Sequence, residues 1–109
     1  MKIAVMSMGN TKESQICSQF GRAPYIIVYN TANNLYEAIE NAGEKSIHGA
    51  GPDTADLIIK NGIDLLLTKK IGAKAYSVLA KAQVAIKLVT SESTVKALLK
   101  KYLKNNPEN

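Results

Sequence analysis

The chain is poor in the residues from which most catalytic and metal sites are built. Its 109 residues include one cysteine, one histidine, one arginine, one phenylalanine and no tryptophan. A single cysteine, Cys17, cannot form an internal disulfide, so nothing in the sequence argues for an oxidising compartment. With one cysteine and one histidine, His48, a closed zinc site with about four soft ligands is excluded. A hydrolytic triad would have only His48 as its base, and neither Ser46 nor Cys17 stands in a nucleophile-elbow sequence. Metal-dependent phosphodiester hydrolysis needs clustered carboxylates, and the first apolar segment, "KIAVMS", supplies none. These shortages point away from an enzyme.

Long apolar runs are also missing. Ile3 to Met6 is too short for a signal peptide, and no segment approaches the ~20 apolar residues of a membrane span. The expected location is cytoplasmic, with no membrane partner. There is no internal repeat, low-complexity stretch or linker, so residues 1–104 are expected to form one domain, followed by a frayed tail at 105–109.

What the chain does have is lysine. Fourteen basic residues against nine acidic give a net charge of +5. That balance admits an anionic partner: a phosphorylated ligand, a nucleic acid or an acidic cluster. The densest group, Lys96, Lys100, Lys101 and Lys104, reads as the solvated side of a terminal helix, and nucleic acid is not the expected partner.

Periodicity gives an α/β chain with the element order β-β-β-α-β-α-β-α. Lys2–Met6, Tyr25–Tyr29 and Leu35–Glu40 read as strands, the second and third joined by the turn-rich "NTANN" into an antiparallel hairpin with the third at an edge. In "GAGPDTADLIIKNG", Gly51 suits an N-cap, Pro52 the first helical position and Gly62 the helix end. Strands at Ile63–Leu67 and Val84–Val89 alternate with helices in "GAKAYSVLAKA" and "SESTVKALLKKYLK". A hairpin followed by βα units predicts a mixed, mostly parallel sheet with helices on both faces.

In such sheets ligands favour the crevice beyond the carboxyl ends of the strands. Three loops should meet there: Ser7–Gln19, "IHGAG" and "TKKIG". The glycine-rich helix starts, Gly49, Gly51 and Gly72, would present backbone N–H groups to an anion, with Lys69, Lys70 and Arg22 adding charge. None of these loops matches a P-loop or a dinucleotide fingerprint. The soft ligand candidates are Cys17, His48 and the methionines Met6 and Met8. Arg22, in the turn "CSQFGRAPY", has two readings: a fastener for the turn, or an edge of the crevice.

"FGRAPYIIVY" after a short strand and polar loop, then "GAG" opening a helix, then "IGAKAYSVLAKAQV", resembles the dinitrogenase iron–molybdenum cofactor biosynthesis family, which includes NifX-like proteins and the C-terminal domain of NifB. The resemblance runs over roughly residues 1 to 104, with "FGRAPY" its most specific element. It implies a ribonuclease H-like α/β/α sandwich whose five-stranded mixed sheet has an antiparallel second strand. It also implies binding and delivery, without catalysis, of an anionic iron–sulfur or iron–molybdenum-type cluster or precursor, held transiently, with metal-cofactor assembly proteins as partners. On that reading His48 and Cys17 are the metal ligands, and Arg22, Gly49, Gly51, Lys69, Lys70 and Gly72 the anion-binding residues. Two departures stand out. Gln19 occupies a position where the family often has histidine, and Lys69–Lys74 replaces an asparagine-bearing loop with a cationic one. The alternative is an interaction or regulatory module that binds a phosphorylated ligand or nucleic acid through the same basic loops.

Overall fold

Strand β1 (Lys2–Ser7) alternates Ile3 and Val5 with Ala4 and Met6, and all four are buried, because both faces of this central strand are covered. The computed structural model describes residues 1–46, 49–90 and 93–105. Strand β2 (Tyr25–Asn30) pairs antiparallel with β1, and β3 (Leu35–Glu40) pairs antiparallel with β2. On the other side of β1, β4 (Leu65–Thr68) and β5 (Ala85–Leu88) add in parallel, giving the order β3-β2-β1-β4-β5. Only β2 runs against the rest, so the sheet is mixed.

Helices α1 (Ala50–Lys60) and α2 (Ala73–Lys81) cover one face, where Ala55, Ile58, Ala75 and Leu79 pack on Ala4, Met6, Ile26, Val28 and Leu66. Helix α3 (Val95–Asn105) covers the other, with Val95, Leu98 and Leu99 on Ile3, Val5, Ile27, Leu65 and Leu67. The period-2 alternation of the strands thus sorts their side chains into two separate cores. No helix among the described residues is long and apolar enough to cross a membrane.

Several boundaries shift for local reasons. Helix α1 begins two residues before the predicted start, with Gly49 as its N-cap; Asp53 N–H donates to Gly49 O at 3.0 Å. Pro52 therefore sits inside the first turn, where its missing N–H has no carbonyl to meet in any case. Strand β4 starts later than predicted because Ile63 closes the end of α1, its N–H reaching Ile58 O. Asp64 pins the chain start instead: its Oδ2 accepts from Lys2 N–H at 2.8 Å. Asn105, expected in the tail, is the last residue of α3.

The loop after β1 also departs from the expected path. Its first half crosses to α3, where Ser14 O accepts from Val95 N–H and Lys12 O from Lys96 N–H, satisfying two donors that the helix start leaves open. Only its second half turns to the opposite face.

Helices α1 and α2 end alike. After α1, Gly62 takes φ +69°, and its N–H reaches Ile59 O. After α2, Gln83 takes φ +64°, with Gln83 N–H to Ala80 O and Val84 N–H to Leu79 O, the same paired closure. Glycine enters the left-handed region at little cost, whereas a residue with a Cβ does not. Gln83→Gly is therefore expected to raise unfolding stability by about 0.5–1 kcal/mol, and Gly62→Ala to lower it by about 1 kcal/mol, both read from urea denaturation midpoints.

Candidate functional site

The turn "CSQFGRAPY" accounts for much of the site, one residue at a time. Cys17 packs in the first core, and its thiol donates to Gln19 O at 3.5 Å. Phe20 opens the 3-10 turn Phe20–Arg22 and is buried. Gly21 lies directly on the start of α1: a Cβ there would stand 2.8 Å from Gly51 N and 3.0 Å from Ala50 C. Arg22 points outward, and its Nη1 donates to Glu44 O at 3.0 Å. Ala23 and Pro24 then deliver the chain into β2.

A buried amide secures this arrangement. Asn41, 2% exposed, follows the edge strand β3. Its Nδ2 donates to Ala23 O at 2.8 Å and to Thr54 Oγ1 at 3.0 Å, while its Oδ1 accepts from Gly43 N–H at 3.0 Å. Its own N–H reaches Pro24 O. Gly43 fits against α1 so closely that a Cβ would lie 2.8 Å from Thr54 N. Asn41 thus joins the Phe20–Pro24 turn, the 3-10 segment Ala42–Lys45 and α1. Sequence reasoning missed it; the available signal was an amide at a strand end two residues before a glycine.

Both parallel strands that feed the site end in a buried hydroxyl that turns the chain. Ser7 Oγ donates to Gly9 O at 2.7 Å, and Thr68 Oγ1 to Lys70 O at 3.2 Å. Beyond them, Gln19 pairs with Lys70 as an isolated parallel bridge. The result is a cleft of about 420 Å³ with three walls: Gln19–Arg22, the first turn of α1 at Ala50 and Gly51, and Lys70–Gly72. Both bordering helices have a glycine N-cap and no side-chain cap. The N–H groups of Ala50, Gly51 and Ala73 thus have no side-chain cap among the described residues, and the positive dipole ends of both helices favour negative charge there. Arg22 and Lys70 are basic, and among the described residues no acidic side chain lines the cleft.

The structure brings Arg22, Gly51, Lys70 and Gly72 together in this cleft. Gly49 is the N-cap of α1 and lies beside it; Lys69 is half-buried at the end of β4 and does not line it. Cys17 faces the core. His48 lies outside the described residues. Among the described residues no three His, Cys, Asp or Glu side chains gather as a metal site would require.

Known proteins are similar to this chain in fold and in sequence. Residues 1–105 match the family described as "Dinitrogenase iron-molybdenum cofactor", and the chain belongs to that family. The apo form of the orange protein from Desulfovibrio gigas is 30% identical and superposes with a TM-score of 0.89, over 95% of this chain and 88% of that one. A candidate NifB protein from Thermotoga, of the DUF35 family, is 26% identical with a TM-score of 0.80, over 94% and 87% of the two chains. An uncharacterized protein of Methanocaldococcus jannaschii is 33% identical over 81 residues, which cover 72% of this chain and 65% of that relative's length.

The geometry separates two glycines of the cleft. Gly21→Ala forces a Cβ into backbone and is expected to lower stability by about 1–3 kcal/mol. Gly72→Ala meets nothing within 4 Å and should stay within about 0.5 kcal/mol of the parent. Thermal or urea unfolding of the two variants side by side checks this.

Proposed function

We propose that this chain is a non-enzymatic carrier that holds an anionic metal–sulfur cluster, or a precursor of one, in the cleft between the Phe20–Arg22 turn and the starts of α1 and α2. The observation that carries this reading is a cleft free of acidic side chains among the described residues, with Arg22 and Lys70 beside two helix N-termini that have no side-chain cap. Membership of the iron–molybdenum cofactor family, and the likeness to a candidate NifB protein, supply the class of cargo.

The chemistry of the donor set fits a preassembled cluster. A cluster already has its sulfide ligands and needs charge balance, N–H donors and at most one or two exchangeable protein ligands. Arg22 and Lys70 would balance charge, and the N–H groups at Ala50, Gly51 and Ala73 would donate hydrogen bonds to sulfide or oxide edges. We assign His48, which precedes the N-cap Gly49 in sequence, as the exchangeable ligand. Cys17, buried and donating to Gln19 O, would serve only if the turn opened. So loose a ligand set favours transient holding and hand-over, with cofactor assembly proteins in the cytoplasm as donor and recipient. We class the sandwich as ribonuclease H-like; its central strand β1, without a carboxylate, is unequipped for the metal-dependent hydrolysis that such a sheet can host.

Anaerobic reconstitution with ferrous iron and sulfide tests the reading. Wild type is expected to gain visible-region absorption, Lys70→Glu and His48→Ala to take up several-fold less cluster, and Cys17→Ala to match wild type. Absence of a visible chromophore on the wild-type protein would overturn the carrier assignment. Uptake unchanged in His48→Ala would remove the ligand assignment alone. If nucleotide or RNA binds instead, with an affinity that falls steeply with salt, the module reading takes its place.

A further inference from the structure

The excess positive charge of this chain is concentrated on one helix. Within α3 there are four lysines, Lys96, Lys100, Lys101 and Lys104, and no acidic residue. The remainder of the chain has ten basic residues against nine acidic. The helix therefore accounts for +4 of the net +5.

The fold points that charge outward. Val95, Leu98 and Leu99 are buried against the sheet, and Tyr102 and Leu103 pack beside them, which leaves all four lysines exposed. Lys96, Lys100 and Lys104 fall at i, i+4 and i+8, one straight ridge with steps of about 6 Å. Like charges at that spacing destabilise an isolated helix by about 0.2–0.5 kcal/mol per pair. None of the four has an ion-pair partner among the described residues. A second lysine source adjoins the ridge: Lys87 on β5 lies with its ammonium 5.7 Å from the Tyr102 ring centre.

We propose that the outer face of α3 is a docking surface for an acidic protein surface, of which a helix with carboxylates at the same i, i+4, i+8 repeat is the best-matched form. Charge complementarity selects the sign of the partner. The apolar stripe of the helix is already consumed by the sheet, so it cannot sink into a bilayer. The ridge also lacks what nucleic-acid faces use. It has no arginine for bidentate phosphate contact and no exposed aromatic ring on which a base could stack. Because α3 covers the face of the sheet opposite α1 and α2, a partner seated there leaves the cleft open.

Fluorescence anisotropy with a labelled helical peptide bearing glutamates at i, i+4 and i+8 tests this on the full chain. Binding is expected at low ionic strength, weakening as salt rises. The double variant Lys100→Glu/Lys101→Glu should lose at least roughly tenfold in affinity. Its unfolding midpoint should not fall, because Lys100→Glu places a carboxylate between Lys96 and Lys104. Lys60→Glu/Lys81→Glu makes the same charge change at exposed positions on α1 and α2, and should cost less than about twofold. Equal losses in the two double variants would overturn the proposal, as would failure of the peptide to bind. Tighter binding of duplex DNA or of phosphatidylserine vesicles than of the peptide, at the same ionic strength, would overturn it as well.

Discussion

The contact of Gly21 with the first turn of α1 sets the geometry of everything around the cleft. Backbone lies on backbone there, at a distance that leaves no room for a side chain on Gly21. With the turn pressed down, Phe20 enters the core, Arg22 projects outward and Ala23 is fully buried at the entry to β2. On its other side, Gly51 faces Ala75 closely, a Cβ on Gly51 lying 3.4 Å from Ala75 Cβ, so the starts of α1 and α2 converge. Small residues at these two contacts bring the Phe20–Arg22 turn and the two helix starts together around the cleft.

The two helix starts on the lining of the cleft bear on what it could recognise. Peptide N–H groups at helix starts offer oriented donors without the mobility of long side chains, and they favour negative charge. They give no preference for one metal over another. Discrimination has to come from the rim, where Arg22 and Lys70 stand. Arg22 is already tied to Glu44 O, so it can meet a ligand only with its remaining donors, and it does so from a fixed position. The two readings of this residue, fastener and cleft edge, are therefore compatible: the first prepares the second.

Much of the fold is legible in the sequence, because alternation in β1, β2 and β4 and the apolar spacing of α3 are strong local signals. The N-cap of α1 is not legible in the same way. "GAGP" offers two glycines as caps, and proline fits both the first position and the first turn; packing against Gly21 is consistent with the earlier start. The cleft was legible as a meeting of loops, and Arg22, Gly51, Lys70 and Gly72 do meet there. Cys17 was not, since a cysteine beside a polar loop is as compatible with the core as with a site, and only long-range contacts decide. Asn41 left almost no trace, because its four partner residues, Ala23, Pro24, Gly43 and Thr54, are spread along the chain.

The distribution of charge matches the two roles proposed for this chain, cargo in the cleft and a partner on α3. At the cleft, positive charge is scarce and partly positioned: one guanidinium tied to a carbonyl, one lysine whose backbone is held by a bridge, and two helix dipoles. On α3 it is plentiful and free to move, since lysines on long stems keep several rotatable bonds each. Positioned charge suits a compact ligand whose edges must be matched. Mobile charge suits a broad surface, where many weak contacts raise the encounter rate and release readily. A protein that hands on a bound group needs firm contact with its cargo and brief contact with its partners. Placing the two kinds of charge on opposite faces of one sheet lets each be adjusted without disturbing the other.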